Sequence, residues 1–272
     1  MSEHPGSLPS EDWRRRAESE RNAYNDGTVS HRYREWAMKA PHVFDCPNSL
    51  RIRKLYDERI HLAGRGGRAL ELGCADGGDC LRLLDAGAEY VCGIDVSERN
   101  VADANARRVP GKLEFMSTDA MAPIPGTFNV IFGQAILHHL DWRVLLPRLY
   151  RNNLLPGGRM VFLEPLGANL ILRIYRRISK SAHTLHEIPF YARDLRWLRR
   201  TFPGTQIIPR NYLSLVFGIL SSRCFPSADN GLMRLCDRVD WWLGQNVRCL
   251  VPRFRQAVIE IRKPPARGPL AG

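Results

Sequence analysis

The sequence lacks the features that would place the chain outside the ordinary globular proteins. It contains no repeat of about 20–50 residues, which argues against a solenoid. Its 22 glycines and 18 prolines in 272 residues are too few for a collagen-like or low-complexity chain. The first 21 residues are polar and charged, unlike a signal peptide. The longest apolar-leaning stretch, Tyr212–Leu220, is far shorter than the about 20 residues of a membrane span.

The spacing of the cysteines lacks the patterns of zinc sites and of disulfide frameworks. There are seven of them, an odd number, and none forms a Cys-x-x-Cys pair. This spacing argues against the usual zinc motifs and against a disulfide framework. We therefore expect no bound metal and a reducing, cytoplasmic compartment.

What the chain does have is an ordinary apolar content and a lopsided charge. A composition of 44% hydrophobic and 25% charged residues suits one large domain, or one domain with an elaborated lid. Basic and acidic residues balance in residues 1–158, so residues 159–272 carry the whole net charge of +12. A basic surface of this kind attracts anionic small molecules, nucleic acids or anionic membranes. A solvated, arginine-rich surface explains the charge equally well.

Strands and helices alternate along residues 66–165. Short apolar runs predict buried strands at Arg68–Leu72, Tyr90–Asp95, Lys112–Met116, Phe128–Gly133 and Arg159–Leu163. Between them we predict helices at Gly77–Ala86, Ser97–Arg107 and Asp141–Asn152, and a turn at Pro156–Gly158. This alternation is typical of a parallel sheet covered on both faces, which predicts an α/β fold.

The flanking segments are predicted to be mainly helical. The predicted helices are Trp13–Tyr24, Leu50–Leu62, Asn169–Lys180 and Ala192–Thr201, and two further strands are Thr205–Pro209 and, antiparallel, Ala257–Arg262. Residues 211–254 are too many for a plain hairpin loop, so we predict a helical lid insertion there. The predicted segments are a helical lead-in over 1–65, a core over 66–165 and an acceptor side over 166–272.

A cofactor motif lies at the first strand–helix junction, residues 69–78 (ALELGCADGG). Its small residues let a ligand approach the backbone, and the next helix offers free N–H groups. Asp95 ends the second strand 22 residues after Gly73, which suits hydrogen bonding to ribose hydroxyls. A dinucleotide site needs Gly-x-Gly-x-x-Gly, but here the middle glycine is missing. Asp76 and Glu71 would form an acidic rim that favours a cofactor with an amine and a sulfonium.

These residues resemble class I S-adenosylmethionine (SAM) methyltransferases of the methyltransferase type 11 or ubiquinone-biosynthesis-like group. The resemblance covers about residues 66–165 and depends on motifs that occur in order at Glu71–Cys74, Gly93–Ser97, Ser117–Ala120, Phe128–Gln134, Ile136–Leu140 and Leu155–Gly158. It implies a Rossmann-like, seven-stranded, mostly parallel sheet with helices on both faces and an antiparallel last strand. It also implies SAM as cofactor and S-adenosylhomocysteine as its product.

The resemblance assigns residues to the amino-acid end of SAM. Glu71 and the turn backbone would hold the methionine amine, and Gln134 would supply a backbone carbonyl nearby. The turn residues assigned to the site are Gly73, Cys74, Ala75 and Gly77. Two positions depart from the family, because Ala75 replaces a usual glycine and Asn129 replaces a generally structural aspartate.

The nucleoside end is assigned in the same way. Asp95 would accept hydrogen bonds from the ribose hydroxyls, and Val96 would pack on adenine. Asp119 would accept from the adenine amino group, and the Ala120 N–H would reach the ring. Tyr24 would close over the cofactor from the lead-in. Each glycine alone is equally a turn and each aspartate a cap, but together, in register, they favour a cofactor site.

The sequence says less about catalysis, because methyl transfer is an in-line displacement that needs alignment, exclusion of water and, for some acceptors, removal of a proton. The candidate bases are His139, at the sheet edge that faces the cofactor in such folds, and Glu164, at the end of the fifth strand. Packing explains His139 equally, and backbone hydrogen bonding explains Glu164. His183 and His186 are candidates for the acceptor pocket.

The acceptor side combines apolar segments, such as Leu213–Leu220 and Trp241–Leu243, with many arginines. A hydrophobic pocket ringed by arginines suits an amphiphilic or aromatic anion, and the same residues suit peripheral contact with a membrane. Ordinary core packing with solvated charge remains an alternative. We therefore predict a SAM-dependent methyltransferase that acts on a small molecule.

Four other functions stay open. The basic part suits RNA or DNA methylation, but no RNA-binding module is appended. The Asn/Asp-Pro-Pro-Tyr motif of adenine-amine methyltransferases is also absent, since Gly133–Ile136 stands there. Protein methylation, a non-catalytic SAM-fold partner subunit and an NAD-dependent oxidoreductase complete the alternatives. The retained Glu71, Asp95 and Asp119 argue against the non-catalytic one.

Overall fold

The computed structural model describes residues 11–26, 35, 38–169 and 188–266. The helices in this part are α1 (Glu11–Asn25), α2 (Pro41–Phe44), α3 (Pro47–Gly64), α4 (Gly78–Asp85), α5 (Glu98–Asn105), α6 (Trp142–Asn152), α7 (Ala192–Thr201), α8 (Leu213–Cys224) and α9 (Gly231–Asn246). The strands are β1 (Arg68–Leu72), β2 (Tyr90–Asp95), β3 (Leu113–Ser117), β4 (Phe128–Gln134), β5 (Leu154–Pro165), β6 (Gln206–Arg210) and β7 (Gln256–Arg262). Nearly all of the predicted helix Asn169–Lys180, and His183 and His186, lie outside the described residues.

The strands form one seven-stranded sheet in the order β3-β2-β1-β4-β5-β7-β6. Strand β1 is parallel to β2 and to β4, and β2 is parallel to β3. Strand β7 is antiparallel to β5, because Gly157 pairs with Lys263 at one end and Leu166 pairs with Arg255 at the other. The predicted α/β fold, with its mostly parallel sheet and antiparallel last strand, is confirmed.

The first two strands form where the sequence predicts them, because both are apolar and buried along almost their whole length. The Asn129 side chain accepts a hydrogen bond from the Arg68 backbone N–H at 2.9 Å, which ties the start of β1 to β4. The position that departs from the family therefore keeps a structural role. Ser97 caps α5 as predicted, since its hydroxyl accepts from the Asn100 N–H.

One local prediction is wrong. Pro156–Gly158 does not form a turn. It lies inside β5, which starts at Leu154. Gly157 adopts a left-handed conformation, with φ of +80°, and its N–H donates to the Lys263 carbonyl at 3.1 Å. The glycine pair is thus part of the β5–β7 pairing. The helical insertion over 211–254 is confirmed as α8, α9 and a 3₁₀ segment, Arg248–Arg253.

The chain divides into two compact units. The first comprises Met1–Asn25, Arg59–Phe162 and Glu260–Gly272, and the second comprises Asp26–Glu58 and Leu163–Ile259. These units are built from separate pieces of sequence, so they do not test the three consecutive segments 1–65, 66–165 and 166–272, which stay a prediction. No described helix is both long and apolar enough to cross a membrane. All seven cysteines are free thiols.

Candidate functional site

The turn after β1 is shaped by residues that leave no room for larger side chains. Gly73 and Gly77 have φ of +70° and +76°, a region that glycine enters without strain. A Cβ on Gly77 would lie 2.5 Å from the Phe115 ring. Ala75 also has a positive φ, +46°, so the residue that replaces the usual glycine keeps the backbone shape that glycine favours. The turn therefore holds its backbone close to the ends of the strands.

Asp95 ties this turn to the end of β2. One carboxylate oxygen, Oδ2, accepts from the Ala75 N–H at 3.0 Å, and Oδ1 accepts from the Ser97 N–H at 2.8 Å and from Asn100 Nδ2 at 3.3 Å. The side chain is buried, and burial raises its pKa, although these hydrogen bonds oppose the shift. A carboxylate fixed at both oxygens is well placed to accept hydrogen bonds from a vicinal diol.

Glu71 lies in the middle of β1 and is only 3% exposed. Its Oε2 accepts from the Cys80 thiol at 2.9 Å. Burial, and then the negative charge of Asp79, raise the pKa of this carboxyl well above its usual value. A cation bound beside it would favour the ionised form, so Glu71 is suited to hold an amine.

The acidic rim predicted from Asp76 and Glu71 is only partly correct. Asp76 is half exposed and its Oδ2 lies 3.1 Å from Arg107, which also donates to the Asp76 backbone carbonyl. Its charge is therefore compensated within the turn. The negative character of the site comes instead from the two buried carboxylates, Glu71 and Asp95.

Asp119 lies near the start of the loop after β3, at the position assigned to adenine. Its Oδ1 accepts from the Met121 N–H at 2.8 Å, which fixes a tight turn. Arg148, on α6, donates to the backbone carbonyls of Ala120 and Met121 and so clamps the same turn. Burial lowers the pKa of Arg148, whereas the Asp119 charge opposes that shift. Asp119 and Ala120 are thus rigidly placed.

The end of β4 meets the turn after β1. Gln134 is the exposed last residue of the strand, and Ala135 follows with a φ of +53°. Ile136 packs on Gly73, where a Cβ would lie 3.0 Å from its side chain. A Cβ on Gly133 would lie 2.7 Å from the Leu72 carbonyl. Glycine at both positions therefore allows the two strand ends to approach each other.

Helix α1 packs against α5 and reaches the end of β2. Arg21 Nε donates to the Val96 carbonyl at 3.3 Å. Asn25 Oδ1 accepts from the Ser97 hydroxyl at 2.7 Å, and the Asn25 backbone carbonyl accepts from Arg99. Together these contacts fix α1 beside the residues assigned to the nucleoside.

The same helix carries a carboxylate to His139. Glu20 Oε1 lies 3.3 Å from His139 Nδ1, and both side chains are less than 10% exposed. The Tyr24 ring meets the His139 ring edge to face, with 6.3 Å between their centres. The His138 ring also contacts the His139 ring, tilted by 41° with 4.1 Å between ring centres. His139 is thus held by an acid–imidazole contact and two aromatic rings.

The structure brings the predicted cofactor residues and His139 together in the first unit. Glu164 is fully buried in β5 and belongs to the second unit, so its relation to the site stays a prediction. The sequence reasoning missed Glu20, Arg21, Asn25 and Arg148. Glu20 lies one helical turn before Tyr24 and so on the same face of α1, which is the signal in the sequence that could have identified it. The others depend on pairings between residues far apart in the chain.

The chemistry of these residues fits SAM. Two buried carboxylates face a turn whose backbone admits a ligand, and the pKa values of both are raised, so a cationic partner would stabilise their ionised forms. Glu71 would hold the amine, Asp95 the ribose hydroxyls and Asp119 the adenine amino group. A pyrophosphate would gain no such stabilisation, because its negative charge would oppose ionisation of both carboxyls.

Comparison with known proteins agrees with this chemistry. The family described as "Methyltransferase domain" matches residues 69–158. The chain is 32% identical over 143 residues to 27-O-demethylrifamycin SV methyltransferase of Amycolatopsis mediterranei, an alignment that covers 48% of this chain and 53% of the relative. It is 39% identical over 93 residues to ribosomal RNA small subunit methyltransferase A of Paramagnetospirillum magneticum, which covers 30% and 32% of the two chains.

Solved structures show the same fold. Phosphoethanolamine N-methyltransferase 2 of Haemonchus contortus, determined with phosphomonomethylethanolamine and S-adenosylhomocysteine, superposes with a TM-score of 0.55 at 14% identity, covering 82% of this chain and 54% of that one. The chain thus spans about half or less of the relatives that it matches. The family match over residues 69–158 agrees with the resemblance to class I, SAM-dependent methyltransferases that the sequence motifs indicate.

Proposed function

We propose that this protein is a SAM-dependent methyltransferase that acts on a small, amphiphilic or anionic acceptor and removes a proton from it. The observation that carries the proposal is the buried Glu20–His139 contact, 3.3 Å long, in the same unit as the two buried carboxylates of the turn. A non-catalytic SAM-fold subunit has no need of a buried imidazole with its own carboxylate. The relative that acts on a rifamycin supports a small-molecule acceptor.

The cofactor residues align one reactant. Bound SAM supplies an electrophilic methyl group on its sulfonium. Glu71 and the turn backbone would hold the amine, and the carboxylate of Asp95 would accept from the ribose hydroxyls. The Asp119 turn, clamped by Arg148, would orient the adenine. Fixing the nucleoside and the amine at separate points orients the group between them, which is the main contribution that alignment makes to an in-line displacement.

His139 handles the proton in this proposal. The acceptor atom would bond to the methyl group as the S–CH3 bond breaks, S-adenosylhomocysteine would leave with the electron pair of that bond, and the proton of the acceptor would pass to His139. The imidazolium that results lies 3.3 Å from the Glu20 carboxylate, which stabilises it strongly in a buried environment. Glu20 is therefore a positioning and charge-balancing residue, whereas His139 touches the reacting atoms. Glu164 is retained as the alternative base.

Two further parts of the proposal concern the cellular compartment and the charge of the acceptor. All seven cysteines are free, which supports a reducing compartment, and we infer the cytoplasm. The basic residues 159–272 support an acceptor that carries phosphate or carboxylate. A nucleic-acid acceptor is the second candidate, because one relative methylates ribosomal RNA.

The test is a radiolabelled-methyl assay with a panel of acceptors. The panel contains 27-O-demethylrifamycin SV, a prenylated hydroxybenzoate, phosphomonomethylethanolamine and a small-subunit ribosomal RNA fragment. We expect label in one of the small molecules and none in the RNA. Label only in RNA, or micromolar SAM binding with no transfer to any member of a broad amphiphile library, would contradict the proposed acceptor class.

The base is tested with the acceptor found in that screen. His139→Asn should lower kcat by about 100-fold or more, the usual contribution of general base catalysis, while SAM affinity changes little. Glu20→Gln should lower kcat by about tenfold and shift the pH profile of kcat, a change that loss of packing alone would not give. His61→Asn, on α3, is the control and should retain wild-type kcat. Equal activity of H139N and wild type would move the assignment to Glu164.

A further inference from the structure

Helix α8 exposes three of its apolar residues to solvent, although Leu215 packs inward against Val43 and Phe44. Val216, Ile219 and Leu220 follow one another at helical spacing and are 47–48% exposed. We call these three residues the α8 outer face. Ser214 and Ser221 are fully buried, and Gly218 faces the same side as they do. A patch of three adjoining exposed apolar side chains is unusual on a surface helix, whose apolar residues ordinarily face the core.

The buried side of α8 is held by close backbone approach and hydrogen bonds. A Cβ on Gly218 would lie only 2.7 Å from the His42 carbonyl of α2, so the two backbones are nearly in contact. The Ser221 hydroxyl lies 3.0 Å from His42 Nδ1 and accepts from Asn230 Nδ2 at 2.8 Å. The small residues let the two backbones approach and the hydroxyl bonds across the contact, so this side of α8 is fixed inside the second unit.

The start of α8 is fixed in the same way. Asp240, fully buried on α9, accepts from the backbone N–H groups of Tyr212, Leu213 and Ser214 at 2.7–3.1 Å, and from the Ser214 hydroxyl at 2.6 Å. The orientation of α8 is therefore set by specific polar contacts. Turning the helix over to bury its outer face would break all of them, so that face stays outward.

The charges exposed on the insertion are almost all positive. Asp240 and Asp237 are buried, and Asp237 lies 2.8 Å from Arg51, so both acids are compensated inside the second unit. The exposed charges over 211–254 are then one aspartate, Asp229, against five arginines: Arg223, Arg234, Arg238, Arg248 and Arg253. Arg223 follows Ile219 by one turn and so lies on the α8 outer face itself. Trp242 on α9 is also 58% exposed.

We propose that the α8 outer face docks the protein onto an anionic membrane surface. A helix of 12 residues is about 18 Å long, too short to span a bilayer but suited to lie in its interface. The apolar side chains enter the headgroup boundary, and the arginines meet anionic lipid phosphates. Exposed charge of one sign disfavours a second copy as the occupant, because two such faces repel each other. The proposal holds independently of the methyl acceptor.

The test is flotation of the purified full chain with vesicles. We expect it to float with phosphatidylcholine vesicles that contain about 30% phosphatidylglycerol at low salt, and to stay at the bottom with pure phosphatidylcholine. Raising the salt to about 0.5 M should release much of the bound protein. Failure to float with the anionic vesicles overturns the proposal.

Variants locate the surface. The double change Ile219→Ser with Leu220→Ser should weaken vesicle binding about tenfold or more, because two half-exposed apolar side chains no longer enter the interface. Leu62→Ser with Val144→Ser removes apolar side chains elsewhere that are at least as exposed, and this variant should bind like wild type. Leu220→Ser alone, with an intermediate loss, serves if the double variant unfolds. Equal loss in the control, or a wild-type dimer in light scattering that I219S/L220S abolishes, contradicts membrane docking.

Discussion

Replacing Asp95 by Asn separates the two tasks that the structure gives to this carboxylate. In the free protein its oxygens accept from three donors, the Ala75 N–H, the Ser97 N–H and Asn100 Nδ2. An amide keeps one acceptor oxygen and turns the other into a donor. If the amide oxygen stays with Ser97 and Asn100, its NH₂ faces the Ala75 N–H, and one charge-assisted hydrogen bond is lost.

The size of both effects follows from these contacts. Loss of one hydrogen bond to a charged acceptor costs about 1.5–3 kcal/mol, which lowers the Tm by about 3–12 °C for a chain of this size. In the proposed SAM complex the carboxylate would also accept from two ribose hydroxyls. Losing these bonds, less their compensation by water, costs about 2–4 kcal/mol and weakens SAM binding by about 30- to 1000-fold.

Calorimetric titration with SAM and a thermal melt measure the two effects on the same sample. Glu98→Gln is the matched control, because it removes the same charge from an exposed residue three positions away. It should leave both the affinity and the Tm close to wild type. Wild-type SAM affinity in D95N would refute the ribose assignment, and equal weakening in E98Q would show that only long-range charge matters.

Three further outcomes are expected. SAM binding should release a proton, and the affinity should rise as the pH rises through the raised pKa of Glu71, because the bound cation lowers that pKa. Calorimetric titration in two buffers of different ionisation heat measures the released proton, and Glu71→Gln should release none. Arg148→Met should weaken SAM binding about tenfold by freeing the Ala120 and Met121 carbonyls, whereas Arg143→Met should not, as titration will show. Gly133→Ala should lower the free energy of unfolding by about 1–3 kcal/mol in urea denaturation, because its Cβ meets the Leu72 carbonyl, and Gly231→Ala, with open space around it, should be near neutral.

The parts of the fold that depend on local pattern could be predicted from the sequence. Strands β1 and β2 were predicted with their observed bounds, since a strand buried along its length is a short apolar run that ends at a turn. The cap at Ser97 follows from its own side chain. The prediction of a turn at Pro156–Gly158 was wrong because Gly157 hydrogen-bonds to Lys263, more than a hundred residues away in the chain.

The candidate site shows the same limit. Glu71, Asp95 and Asp119 could be proposed from the sequence because each lies in a strand or just after one, within a recognisable motif. Glu20 was missed because its contact with His139 joins segments more than a hundred residues apart, and no motif marks it. The insertion was predicted to be helical, but its apolar run was read as a candidate pocket lining. The described structure instead turns Val216, Ile219 and Leu220 outward, because Asp240 and Gly218 fix the opposite side of the helix.

The most direct measurement of the central claim is a calorimetric titration of the nuclease-treated full chain with SAM, S-adenosylhomocysteine and NAD. The buried carboxylates Glu71 and Asp95 predict micromolar binding of the first two and no heat from NAD, whose pyrophosphate would oppose their ionisation. Binding of NAD in place of SAM, or silence from both SAM and S-adenosylhomocysteine, would contradict the assignment of this site.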